Sequence, residues 1–152
     1  METLRSKARL VAATCACTGI RKASRAVTQL YESALVKSGL GAGQFTALVA
    51  ACVAGEDGLP ITHLAKVLVL DRTSLSRTLQ PLERAGLINL AKGREDARVR
   101  RVRLTARGAR KLEEALHLWE KTQRRFLALV GAPLWGQLGP DLERVTSALA
   151  DD

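Results

Sequence analysis

The chain has 152 residues, 47% of them hydrophobic and 26% charged. That composition excludes a disordered or collagen-like polymer and describes one soluble domain able to bury roughly 68–70% of its unfolded surface. Twenty-four Lys and Arg against fifteen Asp and Glu leave a net +9, which points either to a polyanionic partner or to a well-solvated surface. Only 3% of residues are aromatic, so the core is aliphatic and the stacking platforms that read single strands are poorly supplied. Duplex DNA is the better polyanion.

The first elements are read around three cysteines. Cys15, Cys17 and Cys52 are an odd number in a chain too long to need disulfide staples, which points to a reducing compartment. Zinc-finger spacing is absent. The uncharged run from Leu10 to Ile20, behind Arg5, Lys7 and Arg9, has the composition of a secretory leader or transit peptide. It is shorter than the about 20 residues that span a bilayer, and basic sequence resumes at Arg21 and Lys22 without a convincing small-x-small cleavage site. A cytoplasmic protein with no membrane association is the expectation.

From about residue 20 to Lys37, Ile20, Ala23, Val27, Leu30 and Ala34 recur at helical intervals, and Ser38-Gly39 ends the helix. Gln44–Ala54 is apolar nearly all round, as a short helix buried on most sides should be. Gly55 to Gly58 break it. Thr62–Val67 reads as a short helix, and a second, capped by Asp71 and running to Ala85, buries Leu75, Leu79 and Leu82 in one stripe before Gly86 stops it. Leu87–Leu90 and Val99–Leu104 read as two strands joined by the polar turn Lys92–Asp96. Thr105 caps a long helix with Leu112, Leu116, Trp119, Phe126 and Val130 on one side, stopped by Gly131-Ala-Pro133, and a last helix covers Gln137–Leu149.

The fold class is therefore mainly α: a winged helix-turn-helix with a two-stranded β wing over residues 41–104, and an all-helical dimerisation region made from both chain ends, 1–40 and 105–152. A helix of about 39 Å at 1.5 Å per residue is too long to lie over its own small core. Its stripe is expected to pack against a second copy, and a monomer with folded-back ends is the other reading.

Between Asp71 and Lys111 stand twelve bases and four acids, +8 of the chain's +9. A stripe of one sign over a helix-turn-helix and its hairpin is the footprint of a phosphate backbone. Ten of the twelve are arginine, whose planar fork suits phosphate and guanine edges. Burying the leucine stripe turns Arg72, Thr73, Ser76, Arg77 and Gln80 outward toward the major groove, with Ser74 available to a phosphate at the helix N-terminus. Arg94 and Arg98 flank the hairpin tip, where an arginine suits a narrow minor groove. Asp96 would be repelled by phosphate and is expected to hold an arginine in position.

These residues resemble the MarR (multiple-antibiotic-resistance regulator) family of bacterial winged-helix repressors. Ile61-Thr-His-Leu-Ala65 is similar to the family's helix preceding recognition, and Asp71-Arg-Thr-Ser-Leu-Ser-Arg77 through Leu82-Glu-Arg-Ala-Gly-Leu-Ile88 to its recognition helix and first wing strand. Asp96-Ala-Arg98 followed by Val102-Arg-Leu-Thr105 and Gly108 matches the wing signature. The resemblance implies a homodimeric repressor of a palindromic double-stranded DNA operator, with half-sites about one helical turn apart and Arg98 reaching the minor groove. It also implies release by a small-molecule or oxidant inducer. An architectural DNA-binding protein with little sequence preference stays open as an alternative, as does a thiol-dependent enzyme, although no paired carboxylates, nucleophile–base motif or phosphate loop supports catalysis.

Cys17 lies 14 residues before Tyr31 and 27 before Gln44, a spacing similar to that of the sensing cysteine and tyrosine in the family's organic-hydroperoxide resistance branch. The chain departs from that branch at Ala42, where a second tyrosine is expected. Cys17, with Tyr31 and Cys15, is the candidate redox sensor, against the alternative that the thiols are small hydrophobes. No cofactor or metal site is expected: helical Cys15 and Cys17 would point about 200° apart, and neither His63 nor His117 is at ligand spacing from them.

Overall fold

The computed structural model describes residues 1–93 and 99–150; Arg94, Asp96 and Arg98 lie outside the described residues. Two N-terminal helices, α1 (Glu2–Thr14) and α2 (Ala16–Leu35), stand where one helix from about residue 20 was expected. Cys15 is extended between them (φ −67°, ψ 107°) and its N–H still donates to Val11. No Gly or Pro marks this break in the sequence. A 3₁₀ turn, Val36–Ser38, closes α2 at Gly39 (φ 74°), the left-handed stop that glycine adopts without steric cost.

Next come α3 (Ala42–Val53), a 3₁₀ turn at Gly55–Asp57, strand β1 (Leu59–Pro60), α4 (Ile61–Val67) and α5 (Arg72–Arg84). Strands β2 (Ile88–Lys92) and β3 (Arg100–Leu104) form the expected hairpin. The sheet order is β1-β3-β2, antiparallel throughout, with Leu59 opposite Val102 and Leu90 opposite Val102 on the other side. β1 is an addition to the two-stranded wing expected from sequence. Pro60 sits on its edge, where a missing N–H costs no ladder bond. Helices α3, α4 and α5 with this sheet make a winged helix-turn-helix.

The long helix α6 (Ala106–Val130) is capped by Thr105, whose hydroxyl oxygen accepts the Gly108 N–H. Gly131 alone ends it. Ala132 and Pro133, expected to be part of the stop, instead open α7 (Ala132–Ala150), because a proline in the first turn lacks only an N–H that has no helical partner. The α7 start therefore precedes the expected Gln137.

One aliphatic core joins these elements. Leu35, Leu48, Leu64, Leu75, Leu82, Ile88 and Val102 are essentially sealed from solvent, and α2 and α3 both pack on α6. Two apolar expectations are corrected. Cys52 and Val53 on α3 are exposed, so that helix buries one face (Phe45, Ala47, Leu48, Ala51) rather than most of its circumference. On α6, Leu116 faces outward, and the buried line runs through Gly108, Leu112, Ala115, Thr122 and Phe126. Neither α1 nor α7 has any buried residue. Among the described residues no single helix is long and apolar enough to cross a membrane.

Candidate nucleic-acid interface

The site is built on the α4–α5 turn. Leu70 N–H donates back to Ala65 and Val69 N–H to Lys66, the paired bonds of a Schellman stop. The left-handed position they require is filled by Val69 (φ 50°). One residue past Leu70, Asp71 starts α5: its Oδ1 accepts the N–H groups of Thr73 (2.8 Å) and Ser74 (2.9 Å), and its Oδ2 accepts the Ser74 hydroxyl (2.6 Å). The Ser74 hydroxyl, then the backbone N–H groups, hold the Asp71 carboxyl below the usual carboxylate range.

That cap bears on one expectation, Ser74 as a phosphate contact. The Ser74 hydroxyl donates to Asp71, and a carboxylate already occupies the helix N-terminus, so a phosphate there would meet a like charge. The other face of α5 is as anticipated in its exposure. Leu75, Leu79 and Leu82 are buried, and Arg72, Thr73, Ser76, Arg77 and Gln80 are exposed. Gln80 Nε2 donates to Ser76 Oγ at 3.3 Å, one turn back. Among the described residues neither Arg72 nor Arg77 has an ion-pair partner.

The wing meets α5 across a cleft of about 420 Å³ lined by Ile61, Thr62 and Ala65 of α4, Arg72 and Leu75 of α5, and Val99 and Arg100 at the start of β3. Arg72 and Arg100 thus converge from two elements on one opening. Thr62 and Arg100 were not singled out from sequence as site residues. Their only signal there was membership of the basic stretch and of the helix before recognition. Not every base in the stretch is free: Lys111 pairs with Glu114 at 2.6 Å, and Arg101 donates to backbone carbonyls of the Gly55–Gly58 turn.

The candidate sensor residues are not brought together within one chain. Cys17 is exposed near the start of α2, while Tyr31 lies fourteen residues on along the same helix, roughly 21 Å away at 1.5 Å per residue. The Tyr31 hydroxyl donates to the Gln123 side chain of α6, a partner 92 positions distant that sequence periodicity could not reveal. Burial raises the Tyr31 pKa above its ordinary value. Cys17 shares a shallow surface hollow of about 260 Å³ with Thr18, Arg21, Lys22 and Arg25. The Thr18 hydroxyl, then the Thr18 backbone, lowers the Cys15 thiol from its ordinary pKa. Cys15 is extended rather than helical, so the 200° argument against a shared metal ion does not apply. Among the described residues, however, no group of three His, Cys, Asp or Glu is placed to hold a metal.

No protein-family model matches the chain, and no curated protein matches it in sequence. Solved structures do. The Mycobacterium tuberculosis transcriptional regulator MosR in complex with DNA is 33% identical over 91% of this chain and 98% of its own, with a TM-score of 0.78. A MarR-family transcriptional regulator from Rhodococcus sp. RHA1 is 20% identical over 84% of this chain and 90% of its own, TM-score 0.74. The Staphylococcus aureus MepR–DNA complex is 21% identical over 89% and 98%, TM-score 0.74. The last two share the fold, and MosR shares fold and sequence.

Proposed function

This chain belongs to the MarR family of transcriptional regulators, and we propose that it is a sequence-specific double-stranded DNA-binding regulator, a homodimeric repressor released from a palindromic operator by a small ligand or by thiol oxidation. The observation that carries the reading is the exposed row Arg72, Thr73, Ser76, Arg77 and Gln80 on α5, whose first member, Arg72, shares one cleft with Arg100 of the wing. Forked guanidinium groups and short polar donors on one helix face are what a major groove requires. Arg94 and Arg98 are assigned to the minor groove, with Asp96 steering an arginine.

The test is a footprint and titration on the DNA flanking the chain's own coding region. A regulator favours one palindrome by about 10³-fold or more over bulk DNA. Equal affinity for both identifies an architectural protein instead. Arg98→Ala weakens operator binding in a dimer that stays folded; unchanged affinity rejects the wing assignment.

A specific observation favours oxidation as the releasing signal. Cys17 is exposed beside Arg21, Lys22 and Arg25, and Thr18 favours the Cys15 thiolate at the α1–α2 break. Cationic surroundings and access are what a reactive thiol needs. Hydroperoxide releases wild-type protein from DNA, and Cys17→Ser no longer responds. A wild type that ignores hydroperoxide leaves the small ligand as the signal.

A further inference from the structure

We infer that Arg101 is a positioning residue that pins the root of the wing, and not a phosphate contact, an inference that rests on the DNA-binding reading above. Along β3, Val102 and Leu104 pack on the core, and strand alternation turns Arg101 and Arg103 to the opposite face. There Arg101 Nε donates to the Asp57 carbonyl at 2.7 Å and its Nη2 to the Gly58 carbonyl at 2.9 Å. Both directions of the guanidinium fork are thereby engaged by the turn that links α3 to β1.

The turn is seated on β3 as closely as backbone allows. Gly58 is buried with φ 68°, and a Cβ there would stand 2.5 Å from Arg103 Cγ and 2.6 Å from the Val102 carbonyl oxygen. Yet the ladder between them is short: β1 offers only Leu59 and Pro60, opposite Val102 and Arg101. Two residues of pairing, one of them a proline, leave the turn that links α3 to β1 with only a short ladder to β3. The fork of Arg101 supplies the second attachment. A lysine cannot reproduce it, because one ammonium on a flexible stem does not reach two carbonyls in a fixed plane.

The consequence is a division of labour among adjacent arginines. Arg100 opens to the cleft shared with Arg72, whereas Arg101, the next residue, sets the direction in which the hairpin projects.

The experiment compares wild type, Arg101→Met and Arg101→Lys in operator titrations across a salt series, with amide exchange of β2 and β3 recorded in parallel. Both variants are expected to lose about tenfold in operator affinity, the scale of a lost charge-assisted fork, with a slope of log affinity against log salt equal to wild type. Exchange at β3 quickens in both. A phosphate contact predicts otherwise: the slope drops by about 0.9 in Arg101→Met and returns in Arg101→Lys. That result, or unchanged affinity in both variants, overturns the inference. If Arg101→Met does not fold, Arg101→Lys decides by the same two readouts. If wild type binds no DNA selectively, the DNA-binding reading fails, while unchanged β3 exchange in the variants separately refutes the clamp.

Discussion

The Glu32 carboxylate on α2 accepts the backbone N–H of Ala42, the first residue of α3, at 2.8 Å. The cap position of α3 is Gly41, which has no side chain to satisfy the helix's free donors, so the neighbouring helix does so instead. Gln44 Oε1 takes the Gly41 N–H at 3.0 Å. Next to Glu32, Tyr31 reaches Gln123 on α6. Two adjacent residues of α2 therefore tie it to both α3 and α6. Glu32→Ala is expected to lower unfolding stability by about 1–2 kcal/mol, the scale of a lost cap with a charged acceptor. Glu32→Gln keeps an acceptor oxygen and loses less. Urea midpoints equal for the two variants contradict the assignment.

At the start of α5 the same logic acquires a pH dependence. Asp71 in the folded chain is held below its ordinary pKa by the Ser74 hydroxyl first and then by the N–H groups of Ser74 and Thr73. Folding therefore favours the ionised form. The stabilisation is complete above the unfolded carboxylate value and disappears as pH falls through the depressed folded value. The stability difference between wild type and Asp71→Asn is expected to be constant near neutrality and to shrink from about pH 4 downward. Paired urea titrations at pH 7 and pH 3 with the same difference would count against the cap.

Val69 carries backbone strain at the α4–α5 turn. It is left-handed at φ 50° and 68% exposed, so it suffers the clash of a branched Cβ with little packing in return. Left-handed L-residues cost about 1–2 kcal/mol, and glycine gives back part of that gain through its freer unfolded chain. Val69→Gly should raise stability by about 0.5–1 kcal/mol. A lower thermal midpoint would show that the turn is not strained.

What could be read from sequence follows from how local each signal is. Asp71, the Leu75–Leu79–Leu82 stripe, the Gly86 stop and the Thr105 cap are set by residues within one or two turns, and all appear where periodicity places them. The α1–α2 break at Cys15 has no local marker, so it was invisible. β1 was missed because two residues, one a proline, carry no alternation. Of the Gly131-Ala-Pro133 stop, the glycine breaks α6, whereas the proline is equally at home in the first turn of α7. Tyr31–Gln123, Glu32–Ala42 and Arg101–Asp57 join positions far apart in the chain or on different elements, and only the assembled fold brings them together. The minor-groove assignments, Arg94 and Arg98, and the positioning role of Asp96 fall outside the described residues.

Gly108 is required by a close approach. A Cβ at this position of α6 would lie 1.9 Å from the Leu87 carbonyl oxygen, a backbone atom on the approach to β2. Neither side can yield by a rotamer change, so Gly108→Ala is expected to cost about 3 kcal/mol or more. Gly43 in α3 is the control, with nothing within 4 Å of its would-be Cβ. Gly43→Ala should be neutral or stabilising by about 0.5 kcal/mol. Similar thermal midpoints for the two variants would mean that α6 does not sit on Leu87 as described.

The proposed homodimer makes the last prediction. On α7, Leu134, Leu138, Val145 and Leu149 are all exposed and recur every four, seven and four residues, which puts them on one stripe of a helix. The protomer leaves all four partly open to solvent, and α1 likewise leaves Leu4 and Val11 open. Burying each such side chain is worth roughly 1.5–3 kcal/mol, and across a twofold axis every residue counts twice. Leu138→Glu combined with Val145→Glu therefore should weaken self-association by at least about 100-fold. Sedimentation at micromolar concentration reads this directly as a shift from dimer to monomer, with operator affinity falling alongside because two half-sites are no longer engaged together. A variant that sediments as wild type would place the contact between copies on another face, and a wild type that sediments as a monomer would remove the dimer altogether.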